Sequence, residues 1–224
     1  MNKILKQDME LIDKEVDFSK FENKTILISG ASGFIASYLV EYFFYLNDVY
    51  VDLNLKVIAL VRNLKKASSI LINHLEKPNF ILIEHDVNNK IIVKNKVDFI
   101  IHAASLASPI HYKTNPVGTL LPNIIGTQNM LDLALEKRPI SFLFFSSGEI
   151  YGNISSYSIN ENNYGMIDPL NSRACYALGK KAGEILCKSY NIQHNLNTKI
   201  VRLFHIYGPG MNLNDGRVYS DFIK

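Results

Sequence analysis

The stretch LISGASGFIAS, residues 27–37, carries an apolar run straight into two glycines and on into residues of helical spacing. A tight turn between a buried strand and a helix needs a residue free to take positive φ, and Gly30 supplies one. Gly33 lets the backbone come close to a ligand. The helix that follows offers unpaired N–H groups and the positive end of a dipole, which suits a dinucleotide pyrophosphate. Where a third glycine would allow close helix–strand packing, this chain has Ala36. Two readings follow: a cofactor loop with Gly30, Ser32, Gly33, Phe34 and Ile35 as its contacts, or a plain strand-to-helix turn. The place of the motif, directly after a strand pattern and opening a helix pattern, favours the first.

Working outward, KTILISG (24–30), KVIALVR (56–62), NFILIEH (79–85), VDFIIHA (97–103), ISFLFFSS (140–147) and TKIVRLF (198–204) are apolar on both faces and rich in β-branched or aromatic residues. Strands buried on both sides in a parallel sheet read this way. Helical patterns lie between them at about 33–46, 64–76, 115–137 and 172–190, with a weaker connection after Asp86. The alternation predicts a Rossmann-type, doubly wound parallel α/β sheet built from right-handed βαβ units.

A chain of 224 residues with 47% hydrophobic content can bury one sizeable core, and a net charge of +3 gives no dedicated nucleic-acid or membrane surface. Cys175 and Cys187 form neither a disulfide framework nor a metal-ligand cluster, which fits a reducing cytoplasm and no metal. Charge interrupts the apolar positions of MNKILKQDMELIDKEVDFSKF, so residues 1–23 read as an amphipathic helical extension lying on the domain.

Tyr176 and Lys180 in YALGK stand four apart, on one face of a helix. A free phenol has a pKa of about 10, so it works as a base near neutrality only where cationic groups, such as a neighbouring lysine and an oxidised nicotinamide, stabilise the phenolate. Such a pair alone is also an ordinary surface pair. Its order after the glycine loop and after SSGEIYG (146–152), at the end of the fifth strand, argues for a site.

The blocks GASGFIA, IIHAAS, NIIGTQNML, FFSSGEIYG, YALGK and VRLFHIYGPGM, in this order, resemble the extended short-chain dehydrogenase/reductase family of NAD-dependent nucleotide-sugar epimerases, dehydratases and decarboxylases. The resemblance runs from about residue 24 to the end. Within that family ASPIHYKTNPVGT, NSRACYALGK and NDGRVYSDFI look like the corresponding blocks of UDP-glucuronate decarboxylases.

The resemblance implies a role for each matching residue. Tyr176 removes the sugar 4-hydroxyl proton, Lys180 holds the nicotinamide ribose and lowers the Tyr176 pKa, and Ser147 hydrogen-bonds the reacting oxygen. A C4 ketone acidifies the neighbouring C5–H and turns a C5 carboxylate into a β-keto acid that loses carbon dioxide. Glu149 is the candidate for the later step. Dehydratases show Thr-Asp-Glu at the motif occupied here by Ser147, Gly148 and Glu149, so Gly148 removes their acid, which favours decarboxylation, or a dehydratase with its acid elsewhere, over simple 4-epimerisation. A solvated loop acid is the bland alternative for Glu149. Asp86 and Val87 match an adenine contact, although an Asp after a strand is equally a cap. His102, Ala103 and Ala104 match a wall against the cofactor, with small residues leaving room for it. Tyr112, His205 and Arg217 match sugar-nucleotide contacts, Arg217 at a phosphate, with His205 replacing a more usual Asn.

Two features depart from the family pattern. Arg62 ends the second strand where an acidic residue takes the ribose 2′-hydroxyl, so NADP is possible on charge, while the likeness implies NAD. Asp52 sits nearer the usual spacing, but NDVYVDLNL reads as an insertion that leaves it outside the pocket. The second departure is at Lys224, after which family members continue into a small C-terminal domain that closes over the sugar nucleotide. The expectation is therefore a largely missing substrate domain, with boundaries at 1–23, 24–204 for the dinucleotide-binding domain and 205–224 for the start of the substrate region. The full-length protein is expected to be a homodimer acting on a sugar nucleotide. A noncatalytic dinucleotide-binding module is the competing class.

Overall fold

The computed structural model describes residues 3–154, 158–214 and 222. Strands β1 (Thr25–Ser29), β2 (Lys56–Val61), β3 (Phe80–Glu84), β4 (Phe99–His102), β5 (Ser141–Ser147) and β6 (Thr198–Leu203) form one parallel sheet in the order β3-β2-β1-β4-β5-β6. All six lie within the strand stretches read from the sequence. Helices α1 (Lys3–Glu15), α2 (Phe34–Val49), α3 (Leu64–Ile70), α4 (Pro109–Thr114), α5 (Pro116–Lys137) and α6 (Ala174–His194) connect and flank them.

Alternation along the strands produces two cores. Ile26 and Ile28 of β1, with Val57, Ala59 and Val61 of β2, pack with α2 residues Val40, Phe43 and Phe44 on one face. Leu27, Ile58 and Leu60 face the other way and join Met130, Leu131 and Ala134 of α5 and Cys187 of α6. Helix α1 lies against the first core through fully buried Met9, with Tyr38 donating a 2.6 Å hydrogen bond to Asp8 and Tyr50 one of 3.0 Å to Asp13.

Three connections differ from the sequence reading. No helix follows Asp86; Asn88 N–H closes a turn on Asp86 Oδ1 at 2.9 Å, and the chain runs irregularly to β4. The pattern at 64–76 breaks after Ile70 into a short 3-10 turn. The six-residue α4 carries too few residues to show a period. Helix α5 is well specified locally, with Pro116 in its first turn, Asn115 Oδ1 accepting from Gly118 N–H at 3.0 Å, and Arg138 closing it at φ 49°.

The chain reverses its direction of travel across the sheet between β1 and β4, which opens a crevice at their carboxyl ends, the place where open α/β sheets bind ligands. Asp52 lies before the start of β2, at the other end of the strands, as the insertion reading expects.

Candidate active site

The glycine loop sits in that crevice. Gly30 takes φ +68°, and a Cβ there would stand 2.7 Å from Ala104 Cα and 2.9 Å from Ala104 N, so only glycine fits. Gly30 N–H donates to Leu60 O at 2.9 Å and Gly33 N–H to Gly30 O at 2.8 Å, which holds the turn against β2. Gly33 is exposed, and α2 begins there with no side-chain cap and no acidic residue in its first turn. Its leading N–H groups and dipole therefore face the crevice unneutralised. Ala36 is buried in the first core, so the methyl is accommodated where a third glycine would stand. Ser32, Phe34 and Ile35 are half-buried along the same turn, and the Phe34 ring is the neighbour nearest to the missing Cβ atoms of Gly208 and Gly210.

Behind the loop, His102 is a buried tie among β1, β4 and α5. Thr127 Oγ donates to Asn123 O at 2.8 Å, so the ring donates from Nε2 to Thr127 Oγ at 3.1 Å and accepts at Nδ1 from Ser29 Oγ at 2.6 Å. Ser29 Oγ in turn accepts from Ala104 N–H at 3.3 Å, fixing the strand end over which Ala103 and Ala104 form a wall of small residues. Burial, and then the nearby Lys180 charge, push the His102 pKa down to about 3, so the ring is neutral. Two buried polar atoms, Ser105 Oγ and Asn123 Oδ1, are left without a hydrogen-bond partner. An unpaired buried acceptor costs about 1–3 kcal/mol, so both suit a polar ligand or water. The two glycines, with no room for a Cβ at Gly30, and the uncapped helix start fit a dinucleotide pyrophosphate.

At the far end, Arg62 is exposed and makes no hydrogen bond or ion pair among the described residues. Asp86 uses its carboxylate in the local turn, and Val87 packs its side chain on Gly126 while Asn129 Nδ2 donates to its carbonyl at 2.8 Å.

The candidate reacting groups come from β5 and α6. Ser147, buried at the end of β5, accepts from Glu149 N–H at 3.2 Å, which starts a short 3-10 turn over 148–151. Tyr176 and Lys180 are both buried on α6. Lys180 Nζ donates to Phe145 O at 2.6 Å and lies 5.9 Å from the Tyr176 ring centroid. Burial pushes the Lys180 pKa down to about 7. Tyr112, on α4, stacks on Tyr176 with ring centroids 4.9 Å apart and donates its hydroxyl to Ala107 O at 3.1 Å.

Arg173 was not singled out in the sequence. It starts α6, pairs with Glu149, and lies 5.6 Å over the Tyr112 ring. Its position three residues before Tyr176 was the available signal, since one helical turn brings the two side by side. Glu149 is therefore drawn into the site by a cation. His205 is exposed beyond β6, and Arg217 lies outside the described residues.

UDP-glucuronic acid decarboxylase 3 of Arabidopsis thaliana is 43% identical over 209 residues, which is 92% of this chain and 58% of that protein. UDP-glucuronic acid decarboxylase 1 of Xenopus tropicalis is 36% identical over 206 residues, covering 92% and 46%. The chain thus spans about half the length of these relatives, 58% of one and 46% of the other. The dTDP-glucose 4,6-dehydratase DesIV of Streptomyces venezuelae, solved with NAD and DAU bound, superposes with a TM-score of 0.74 at 22% identity, over 88% of this chain and 60% of that one. The UDP-glucuronic acid 4-epimerase of Bacillus cereus, solved with NAD, gives 0.68 at 24% identity, over 83% and 57%. These two likenesses establish the fold. Residues 26–224 match the model of the NAD dependent epimerase/dehydratase family, and the chain belongs to that family.

Proposed function

We propose that the whole protein binds NAD and removes the carboxyl group of UDP-glucuronate through a 4-keto sugar. The reading rests above all on one arrangement: Glu149, bound to Arg173, stands beside Ser147 and next to the stacked Tyr112 and Tyr176. The names of the relatives at 36–43% identity support the same substrate.

NAD, when bound, supplies the hydride acceptor and later the donor. Gly30, Gly33 and the start of α2 would hold its pyrophosphate, Ala103 and Ala104 would flank it, and Lys180 would hold its nicotinamide ribose. Tyr176, as phenolate, takes the proton of the sugar 4-hydroxyl. The positive charges of Lys180 and the oxidised ring favour that phenolate. Ser147 donates to the oxygen at C4 as it becomes a carbonyl. The C5 carboxylate is then β to a ketone, and its C–C bond electrons flow into the enolate as carbon dioxide leaves. Arg173 offers a guanidinium that can orient that carboxylate, and Glu149 is placed to govern the proton that returns to C5. Tyr112, stacked on Tyr176, would contact the sugar nucleotide, while His205 and Arg217 belong to residues 205–224, which we assign to the start of the substrate-binding region after a dinucleotide-binding domain at 24–204.

A 4,6-dehydratase or a 4-epimerase shares the first oxidation. Gly148, at the position of the dehydratase acid, and the Glu149–Arg173 pair favour decarboxylation. Incubating the full-length protein with NAD and a panel of UDP- and dTDP-sugars, and identifying products by mass spectrometry, tests the proposal; binding of NAD with no turnover of any of them would favour the noncatalytic class.

A further inference from the structure

Glu184 lies on α6 at the i+4 and i+8 spacing from Lys180 and Tyr176. Its carboxylate is gripped from two strands. Oε1 accepts from Ser146 Oγ at 2.5 Å and from Arg202 Nε at 3.0 Å, and Oε2 accepts from Arg202 Nη2 at 2.8 Å. Arg202, on β6, also donates from Nη1 to the Tyr151 hydroxyl at 2.9 Å and to Glu161 O at 3.3 Å, with its guanidinium 5.0 Å over the Tyr151 ring. The two charged side chains are 11% and 21% exposed.

The partners of this pair bracket the reacting segment. Ser146 precedes Ser147, and Tyr151 ends the 3-10 turn that carries Glu149. Phe204, stacked on Tyr151 at 6.0 Å, fills the space that a side chain at position 148 would need. The bidentate pair therefore joins both ends of the Ser147–Glu149 segment to the helix that carries Tyr176 and Lys180. A buried ion pair is weak evidence for stability, because desolvation offsets its attraction and well-packed apolar residues often replace it without loss. What apolar residues do not supply is direction: the fork of Arg202 fixes Glu184 and Tyr151 at once.

We propose that Glu184 and Arg202 are positioning residues, setting the distance and orientation between the Ser147–Glu149 segment and the Tyr176–Lys180 face of α6. The proposal rests on the reading of those four residues as the reacting groups.

The test compares, in the full-length protein, wild type, Glu184→Gln, Arg202→Lys and the apolar double variant Glu184→Leu with Arg202→Met. Amide hydrogen exchange at residues 147–151, NAD affinity by calorimetry, the thermal midpoint, and kcat and KM for UDP-glucuronate are read together. A displacement of about 1 Å can cost about a hundredfold in rate, so kcat should fall at least about tenfold with KM little changed, even in a double variant that melts like wild type. Exchange at 147–151 should quicken while NAD affinity holds. A double variant with wild-type melting, wild-type exchange at 147–151 and wild-type kcat would overturn the proposal. If wild type leaves UDP-glucuronate unchanged, the reaction assigned above fails instead; faster exchange confined to 147–151 then still supports the positioning role, and unchanged exchange still overturns it.

Discussion

Lys180 Nζ reaches back across the sheet end to donate to Phe145 O at 2.6 Å, so the lysine that faces Tyr176 is anchored to the strand that ends in Ser147. This one bond couples the two elements that carry the proposed reacting groups. Burial lowers the Lys180 pKa from its ordinary 10.5 to about 7. The unfolded chain therefore holds the extra proton between those values, and stability gains from this group as pH rises through that window. Lys180→Met should flatten that part of the pH–stability curve without lowering the midpoint of thermal melting near neutrality, while abolishing nicotinamide reduction. Thermal melts across the window check the first outcome and absorbance of reduced nicotinamide the second.

His102 acts in a lower range. Its pKa falls from 6.5 to about 3 in the fold, so the native state resists a proton that the unfolded chain accepts. Stability should be intact above pH 6.5 and drain away as pH falls toward 3. A His102→Gln variant, which loses the titration, should melt below wild type at neutral pH but show a shallower loss on acidification. Parallel slopes for the two proteins would remove His102 from the explanation of acid lability.

Gly30→Ala sets a side chain at φ +68° and 2.7 Å from Ala104 Cα. The left-handed conformation alone costs about 1–2 kcal/mol for a residue with a Cβ. The variant should be less stable by at least that much and lose NAD binding by calorimetry; retained NAD affinity would place the dinucleotide elsewhere.

Arg62 is exposed and has no hydrogen bond or ion pair among the described residues, so none of them aims it at a ribose. NAD should bind at least as tightly as NADP, and Arg62→Asp, which restores an acceptor for the ribose hydroxyls, should strengthen NAD binding severalfold. A tenfold preference of the wild type for NADP, about 1.4 kcal/mol, would contradict this.

The framework was legible because its signals are local and redundant. Strands apolar on both faces call for a covered parallel sheet, although the edge strand β6 leaves Lys199 and Ile200 exposed, and a glycine loop, a serine at a strand end and the Tyr176–Lys180 spacing each mark a place on it. What escaped was decided by tertiary contacts. Nothing around Asp86 tells whether its carboxylate caps a helix or closes a turn on Asn88. The spacing of Arg173 from Tyr176 is visible in the sequence, but its pairing with Glu149 depends on α6 starting beside that turn, and Glu184 and Arg202 look like ordinary surface charges until β6 lies next to β5.

Tyr176→Phe in the full-length protein should keep NAD affinity while giving no nicotinamide reduction on addition of UDP-glucuronate, because only the phenol oxygen is removed. Glu149→Gln should differ: reduction should proceed and a 4-keto sugar should accumulate. Normal product from Glu149→Gln would return Glu149 to an ordinary loop acid.

The most direct measurement is a product analysis of the full-length protein with NAD and UDP-glucuronate labelled at its carboxyl carbon. The label should leave as carbon dioxide, a UDP-pentose should remain, and NAD should be unchanged at the end. Recovery of the label in a UDP-hexuronic acid, as an epimer or as untouched substrate, would contradict it.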